Sequence, residues 1–218
     1  MRRRVLWACD SGFTLIELLV VALVIGIITV PLGNVVLSYL RNTDETTGRL
    51  KESHDIQIAS AYWAQDVASI GTRDPGPTYA LKQSIEVGGA TTPSWPYQCG
   101  TGTGIVVSLI WDDFDTPGAG PTYIEVAYQI VTVSGLPTEL HRIRCNGPAS
   151  VVSDTVVAHD LDPAHAPELG CPDLPTVPVT CTSAAVPPTV NLTLHIKDPK
   201  DRNSSAYSVT LTGQRRQT

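Results

Sequence analysis

Charged residues are scarce in this chain. Asp, Glu, Lys and Arg together make up 17% of 218 residues, against the usual quarter. Thr, Ser, Val, Gly and Pro fill the gap, which favours strands and turns over helices in the second half. A basic surplus is also missing. The formal net charge is −6, which argues against a nucleic-acid binder, because such affinity comes from neutralising phosphates. No C-x-x-C zinc spacing occurs, nor H-E-x-x-H, G-x-S-x-G or a phosphate loop. His54, His141, His159, His165 and His195 are scattered. His54 is expected on an exposed part of a helix, and His141 and His195 at surface positions of alternating strands. No catalytic constellation emerges, and neither an enzyme nor a bound cofactor is expected.

What the chain does have lies at its start. Phe13–Val30 reads FTLIELLVVALVIGIITV, 18 residues with one charge, Glu17. A run of that length can span a bilayer as a helix. Arg2, Arg3 and Arg4 precede it. By the positive-inside rule they stay in the cytoplasm, so everything after the helix is exported. An ordinary secretory signal would be cut after its apolar run at a small-x-small site, and Pro31–Arg41 offers no strong one. A lipoprotein would need its cysteine after the run, whereas Cys9 precedes it. A plain signal anchor has no reason to carry Glu17, since a charge in the membrane core costs roughly 3 kcal/mol or more.

Gly12-Phe13-Thr14-Leu15-Ile16-Glu17-Leu18-Leu19-Val20-Val21 resembles the cleavage-and-methylation signature of type IV prepilins and type II secretion pseudopilins. The resemblance implies that a membrane aspartyl peptidase cuts after Gly12 on the cytoplasmic side and methylates Phe13. It makes Glu17 the fifth residue of the mature chain, where that family keeps a glutamate. Cleavage before the apolar run leaves the helix on the mature protein and creates an amine at Phe13. Glu17 lies one turn away, near the positive end of the helix dipole. In a filament it can pair with the Phe13 amine of a neighbouring subunit and so set axial register, because a subunit at the wrong height strands a charge in hydrocarbon. The competing reading is that Glu17 neutralises its own N-terminus.

The implied leader, Met1–Gly12, carries three arginines and Asp10, a sum of +2, so the mature chain has −6 − 2 = −8. Cys9 leaves with it. Cys99, Cys145, Cys171 and Cys181 remain, all downstream of the apolar run. Two disulfides in an oxidising compartment are expected; four reduced, buried cysteines are the alternative. Of three possible pairings, proximity along the chain favours Cys171–Cys181 as a local staple and Cys99–Cys145 as a longer link.

Pro31 removes one helical hydrogen bond, to the carbonyl of Ile27, and Gly33 and Asn34 weaken the same turn. A kink or melted turn is expected over Ile28–Asn34, with the helix resuming at Val35. From there the pattern is helical to about Ile70, solvated at first. Ile56, Ala59, Trp63, Val67 and Ile70 follow at spacings of 3, 4, 4 and 3, a stripe that faces a core. Gly71 and Pro75-Gly76-Pro77 end the helix.

Strand-like runs then dominate: Ile105–Trp111, Tyr123–Val133, Glu139–Cys145, Thr155–His159, Val177–Thr182, Val190–Ile196 and Tyr207–Thr212. Ser134-Gly135-Leu136-Pro137 reads as a hairpin turn, Gly100–Gly104 as a flexible turn, and Pro163–Pro188 as an irregular, disulfide-stapled excursion. The expected fold class is α+β, the pilin fold: a long N-terminal helix packed on an antiparallel sheet. The expected divisions are a cleaved leader at 1–12, a transmembrane and filament-core helix at 13–40, an amphipathic helix at 41–70 and an extracytoplasmic β-rich domain at 71–218.

Asp112, Asp113 and Asp115 precede the turn Pro117-Gly118. They are weak calcium candidates; an acidic hairpin tip that keeps a strand edge soluble is the simpler reading. A mature length of 218 − 12 = 206, with Ser53, Gln57, Ala61, Asp66 and Val67 on the helix, Ile124–Gln129, Leu140-His141-Arg142 and Gln214-Arg215-Arg216, also resembles the J-type minor pseudopilins and large minor pilins. The resemblance implies a subunit that initiates or caps a filament, with prepilin peptidase, fellow major and minor pilins and the cytoplasmic membrane as partners, and no nucleic acid. A filament-displayed binding module, an adhesin or a competence pilin, is the alternative. For that alternative Arg142, Arg144, Arg202, Arg215 and Arg216 would have to form a local patch.

Overall fold

The computed structural model describes residues 14–74, 76–88, 98–100, 104–113, 122–132, 134, 138–147, 150–172, 181–182, 186–197 and 207–216, the side chain of Glu45 excepted. The chain divides into two compact units, Met1–Arg49 and Leu50–Thr218.

One helix, α1, runs over Leu15–Ser69. Its start follows from sequence. The Glu17 N–H donates to Thr14 Oγ1 (3.3 Å) and the Leu18 N–H to the Thr14 carbonyl (3.2 Å), so Thr14 occupies the cap position. The melted turn expected at Ile28–Asn34 is absent, and the helix continues through Pro31. Proline withholds a single N–H, and its fixed φ is helical. The turns on either side keep their own bonds, and Thr29 Oγ1 adds one to the Ile25 carbonyl at 2.7 Å.

In the Leu50–Thr218 unit the strands are short at first: β1 (Thr72–Arg73), β2 (Leu81–Lys82) and β3 (Ile85–Val87). Long ones follow: β4 (Ile105–Asp113), β5 (Thr122–Val131), β6 (Thr138–Asn146) and β7 (Val151–Leu161). Last come β8 (Glu168–Gly170), β9 (Thr189–Ile196) and β10 (Tyr207–Gln214). The main sheet has the order β10-β9-β7-β6-β5-β4-β3, with β8 also paired to β9, and each pairing is antiparallel. Six of the seven expected strands are present, five with longer bounds and Tyr123–Val133 shifted to Thr122–Val131. Of the seventh, Val177–Thr182, Cys181 and Thr182 form a turn, and 177–180 lie outside the described residues. The excursion Pro163–Pro188 is less irregular than expected, because β8 lies within it.

Alternation along the strands explains the core. On β9, Val190, Leu192, Leu194 and Ile196 are buried, while Asn191, Thr193 and His195 between them are half-buried. The helical stripe meets the expectation from spacing. Ala59, Trp63, Val67 and Ile70 share one buried cluster with Val107, Leu109, Tyr128, Leu140, Leu192 and Leu211, with Ile56 partly buried against it. The Trp63 indole N–H donates to the Val190 carbonyl at 3.1 Å. A second, small cluster holds Cys99, Ala127, Ile143 and Cys145. Disulfides join Cys99 to Cys145 and Cys171 to Cys181, each with Cα atoms 5.6 Å apart.

Gly104 opens β4 where no side chain fits. Its φ is +103°, and a Cβ there would lie 2.6 Å from the Ile130 carbonyl oxygen. That closeness follows from the Ile130 N–H donating to the Gly104 carbonyl at 2.8 Å.

Candidate functional site

In the Met1–Arg49 unit the helix is unusually apolar and unusually bare. An 18-residue window reaches a mean hydropathy of 2.7, and none of it is buried in the protein. From Leu15 to Leu40 every residue is exposed, and Glu17 is the lone charge. The helix is long and apolar enough to cross a membrane. So much apolar surface is unfavourable in water, at about 25 cal/mol per Å², and it fits anchoring in lipid. Glu17 sits in the first turn, where the dipole favours a negative charge, and Thr14 Oγ1 lies 3.5 Å from Glu17 Oε2. This T-x-x-E capping pair went unremarked in the sequence, although its spacing is legible there. Gly12 and Phe13 lie outside the described residues.

The Leu50–Thr218 unit holds a buried ionic network that composition did not announce. Asp66 on α1 is 1% exposed and Arg142 on β6 is 7% exposed. Arg142 Nε donates to Asp66 Oδ2 at 2.7 Å and Nη2 to Oδ1 at 2.6 Å, the two-pronged geometry that suits a guanidinium. The Tyr128 hydroxyl donates to the same Asp66 Oδ2 at 2.7 Å. Arg142 Cζ also lies 4.8 Å over the Tyr62 ring. Burial, and then the Asp66 carboxylate, push the Tyr128 hydroxyl well above its ordinary value. Burial pulls the Arg142 guanidinium down, but Asp66 more than offsets this and the net shift is upward.

Two of the scattered histidines come together. His141 Nδ1 lies 2.8 Å from Asp154 Oδ1, and its Nε2 lies 3.2 Å from Glu139 Oε2. His159 Nδ1 lies 2.8 Å from Asp55 Oδ2, and its Nε2 lies 3.7 Å from Glu139 Oε1. The His141 side chain is only 15% exposed, so the expected surface position is corrected: two carboxylates flank it. His195 is likewise half-buried, with Nδ1 3.0 Å from Ser208 Oγ. His54 is exposed, as its place on the helix implies. Hydrogen bonds from His165 and from the Ala164 N–H hold the Asp162 carboxyl below its ordinary value.

Two of the three calcium candidates lie among the described residues. Asp112 Oδ2 accepts the Arg73 N–H at 2.7 Å, and the Asp113 carbonyl accepts the Thr122 hydroxyl at 3.3 Å. Asp115 lies outside the described residues. Among the described residues, no group of three His, Cys, Asp or Glu side chains is placed to hold a metal ion.

Residues 7–33 match the family model of the prokaryotic N-terminal methylation motif. No curated protein matches the chain. The matched segment covers Gly12, Phe13, Glu17, Pro31 and the whole apolar run Phe13–Val30. The chain therefore carries the prepilin-type signature of type IV pilin-like proteins, at the head of a helix able to cross a membrane.

Proposed function

We propose that this chain is a minor pilin or pseudopilin, a structural or assembly subunit of a type IV pilus-like or type II secretion filament. Prepilin peptidase removes residues 1–12 and methylates Phe13. The segment 13–40 then holds the subunit in the cytoplasmic membrane with its N-terminus inside, and later lines the filament core. Residues 41–70 form the helical part that meets the sheet of an extracytoplasmic domain at 71–218. Pro31 is a point at which the helix can bend between these two environments. Glu17 sets axial register against the Phe13 amine of a neighbouring subunit.

The observation that carries this reading is the pairing of the methylation motif with a wholly exposed apolar helix. A subunit that assembles through its helix needs that surface uncovered, in lipid before assembly and against other helices after it. Mass spectrometry of sheared filaments tests it. The expected N-terminal residue is N-methyl-Phe13, and a Gly12→Glu variant is expected to stay uncut in the membrane. Filaments carrying an intact Met1–Gly12 leader would refute the reading.

A second reading, a filament-displayed binding module, is favoured by one observation. Arg142, Arg144, Arg215 and Arg216 line neighbouring cavities, and Arg202 lies outside the described residues.

A further inference from the structure

Two cavities of the Leu50–Thr218 unit meet at Ser69, on the last turn of α1. One, of about 280 Å³, is lined by Ser69, Leu81, Arg73, Asp112, Arg215 and Arg216. The other, of about 230 Å³, is lined by Ser69, Tyr62, Trp111, Asp66, Arg142 and Arg144. Trp111 and Asp112 are consecutive on β4, so the strand as well as the helix passes from one cavity to the next. The charged lining residues are five arginines and two aspartates, a sum of +3 in a chain whose total is −6.

The aspartates are already committed. Asp66 is held by Arg142 and Tyr128, and Asp112 accepts the backbone N–H of Arg73. Among the described residues, neither Arg144, Arg215 nor Arg216 has a carboxylate within ion-pair distance. Arg215 Nε is buried with no hydrogen-bond partner among them. The α1 C-terminus supplies about half an elementary negative charge, too little to balance three guanidinium groups.

From this geometry we infer that the paired cavities are a docking site for a short acidic segment of a partner polypeptide, with one carboxylate in each cavity. The planar guanidinium fork matches a carboxylate better than an ammonium does. Trp111, Tyr62 and Leu81 offer apolar wall to the methylene stems of Asp or Glu. A long polyanion fits less well. Its charge would run beyond the +3 patch onto a chain whose other residues sum to −6 − 3 = −9, and charges within a Debye length of about 8 Å are felt. A segment of a few acidic residues keeps its charge close to the patch. The inference rests on this unit only and stands apart from the filament reading.

The test uses the full processed chain in detergent micelles and fluorescein-labelled hexaglutamate, read by fluorescence anisotropy. Saturable binding is expected, weakened by added salt and roughly tenfold or more by Arg144→Gln or Arg215→Gln. Among the described residues neither arginine has an ion partner to orphan, so both variants should keep the parent melting temperature. Hexaglutamine should not bind. The inference is overturned by the absence of saturable binding, by unchanged affinity in both folded variants, by equal binding of hexaglutamine, or by displacement with a single-stranded oligonucleotide at lower concentration than unlabelled hexaglutamate.

Discussion

Gly213 on β10 lies directly against Val67 of α1: a methyl group at Gly213 would fall 2.7 Å from Val67 Cγ2 and 2.8 Å from Cγ1. Both atoms branch from a stiff side chain that is fully buried, so neither can swing aside. Gly213→Ala should destabilise the Leu50–Thr218 unit by about 1–3 kcal/mol. Val67→Ala in the same chain removes both γ methyls but keeps Cβ, the atom nearest the added methyl, so it should recover only a small part of that loss. Urea denaturation of the four proteins of this cycle gives the coupling, and strictly additive effects would contradict the close approach.

Asp66 neutralises Arg142 where water cannot. Asp66→Asn keeps the shape but leaves the guanidinium charged and unpaired, and should cost about 3–5 kcal/mol. Tyr128→Phe removes one hydrogen bond and no charge, so its cost should be nearer 1 kcal/mol. Equal losses in the two variants would show that the charge pairing is not what holds this site together.

Tyr207 reports on alkaline stability. Burial, followed by the Glu52 carboxylate 3.3 Å from its hydroxyl, pushes Tyr207 up from 10.0 to about 12. A raised value in the folded chain means that the unfolded chain loses the proton first. The contribution is fully present below pH 10 and is lost as pH climbs toward about 12. Tyr207→Phe should flatten that part of the stability profile. An ultraviolet titration in which the phenolate lost on Tyr207→Phe forms near pH 10 would contradict the shift.

Glu17 and Thr14 separate two jobs. If Glu17 serves a neighbouring subunit, Glu17→Ala should be cut and inserted normally yet enter filaments poorly. Thr14→Ala removes the cap, weakens the helix start by about 0.5–2 kcal/mol, and should leave incorporation near normal. Subunit levels in membranes and in sheared filaments distinguish the two. Normal incorporation of Glu17→Ala would sink the role between subunits, though not the processing.

The sequence made legible what is local to it. The apolar run follows from its length, the stripe from Ile56 to Ile70 from helical spacing, and six long strands from β-branched and aromatic runs between turn residues. What it hid depends on pairing across distance. Val87 in β3 and Leu169 in β8 belong to strands of three residues, too short to show a period. Asp66 and Arg142 are 142 − 66 = 76 positions apart, and each alone reads as an ordinary surface charge. At Pro31 the melted turn does not form, because an apolar helix has nowhere better to put its backbone than its own hydrogen-bond ladder. The arginines were visible as residues, but only the return of β10 to the end of α1 brings Arg215 and Arg216 to Ser69 and Arg73.

The contact between Gly213 and Val67 also sets an order in time. Synthesis runs from Val67 to Gly213 over 213 − 67 = 146 residues, and the Arg216 N–H that bonds the Ala68 carbonyl is made later still. Until then the buried face of α1 lacks its final cover. A nascent chain must therefore hold Val67 without this last cover while 146 of its 218 residues are made, a window in which chaperones compete with aggregation.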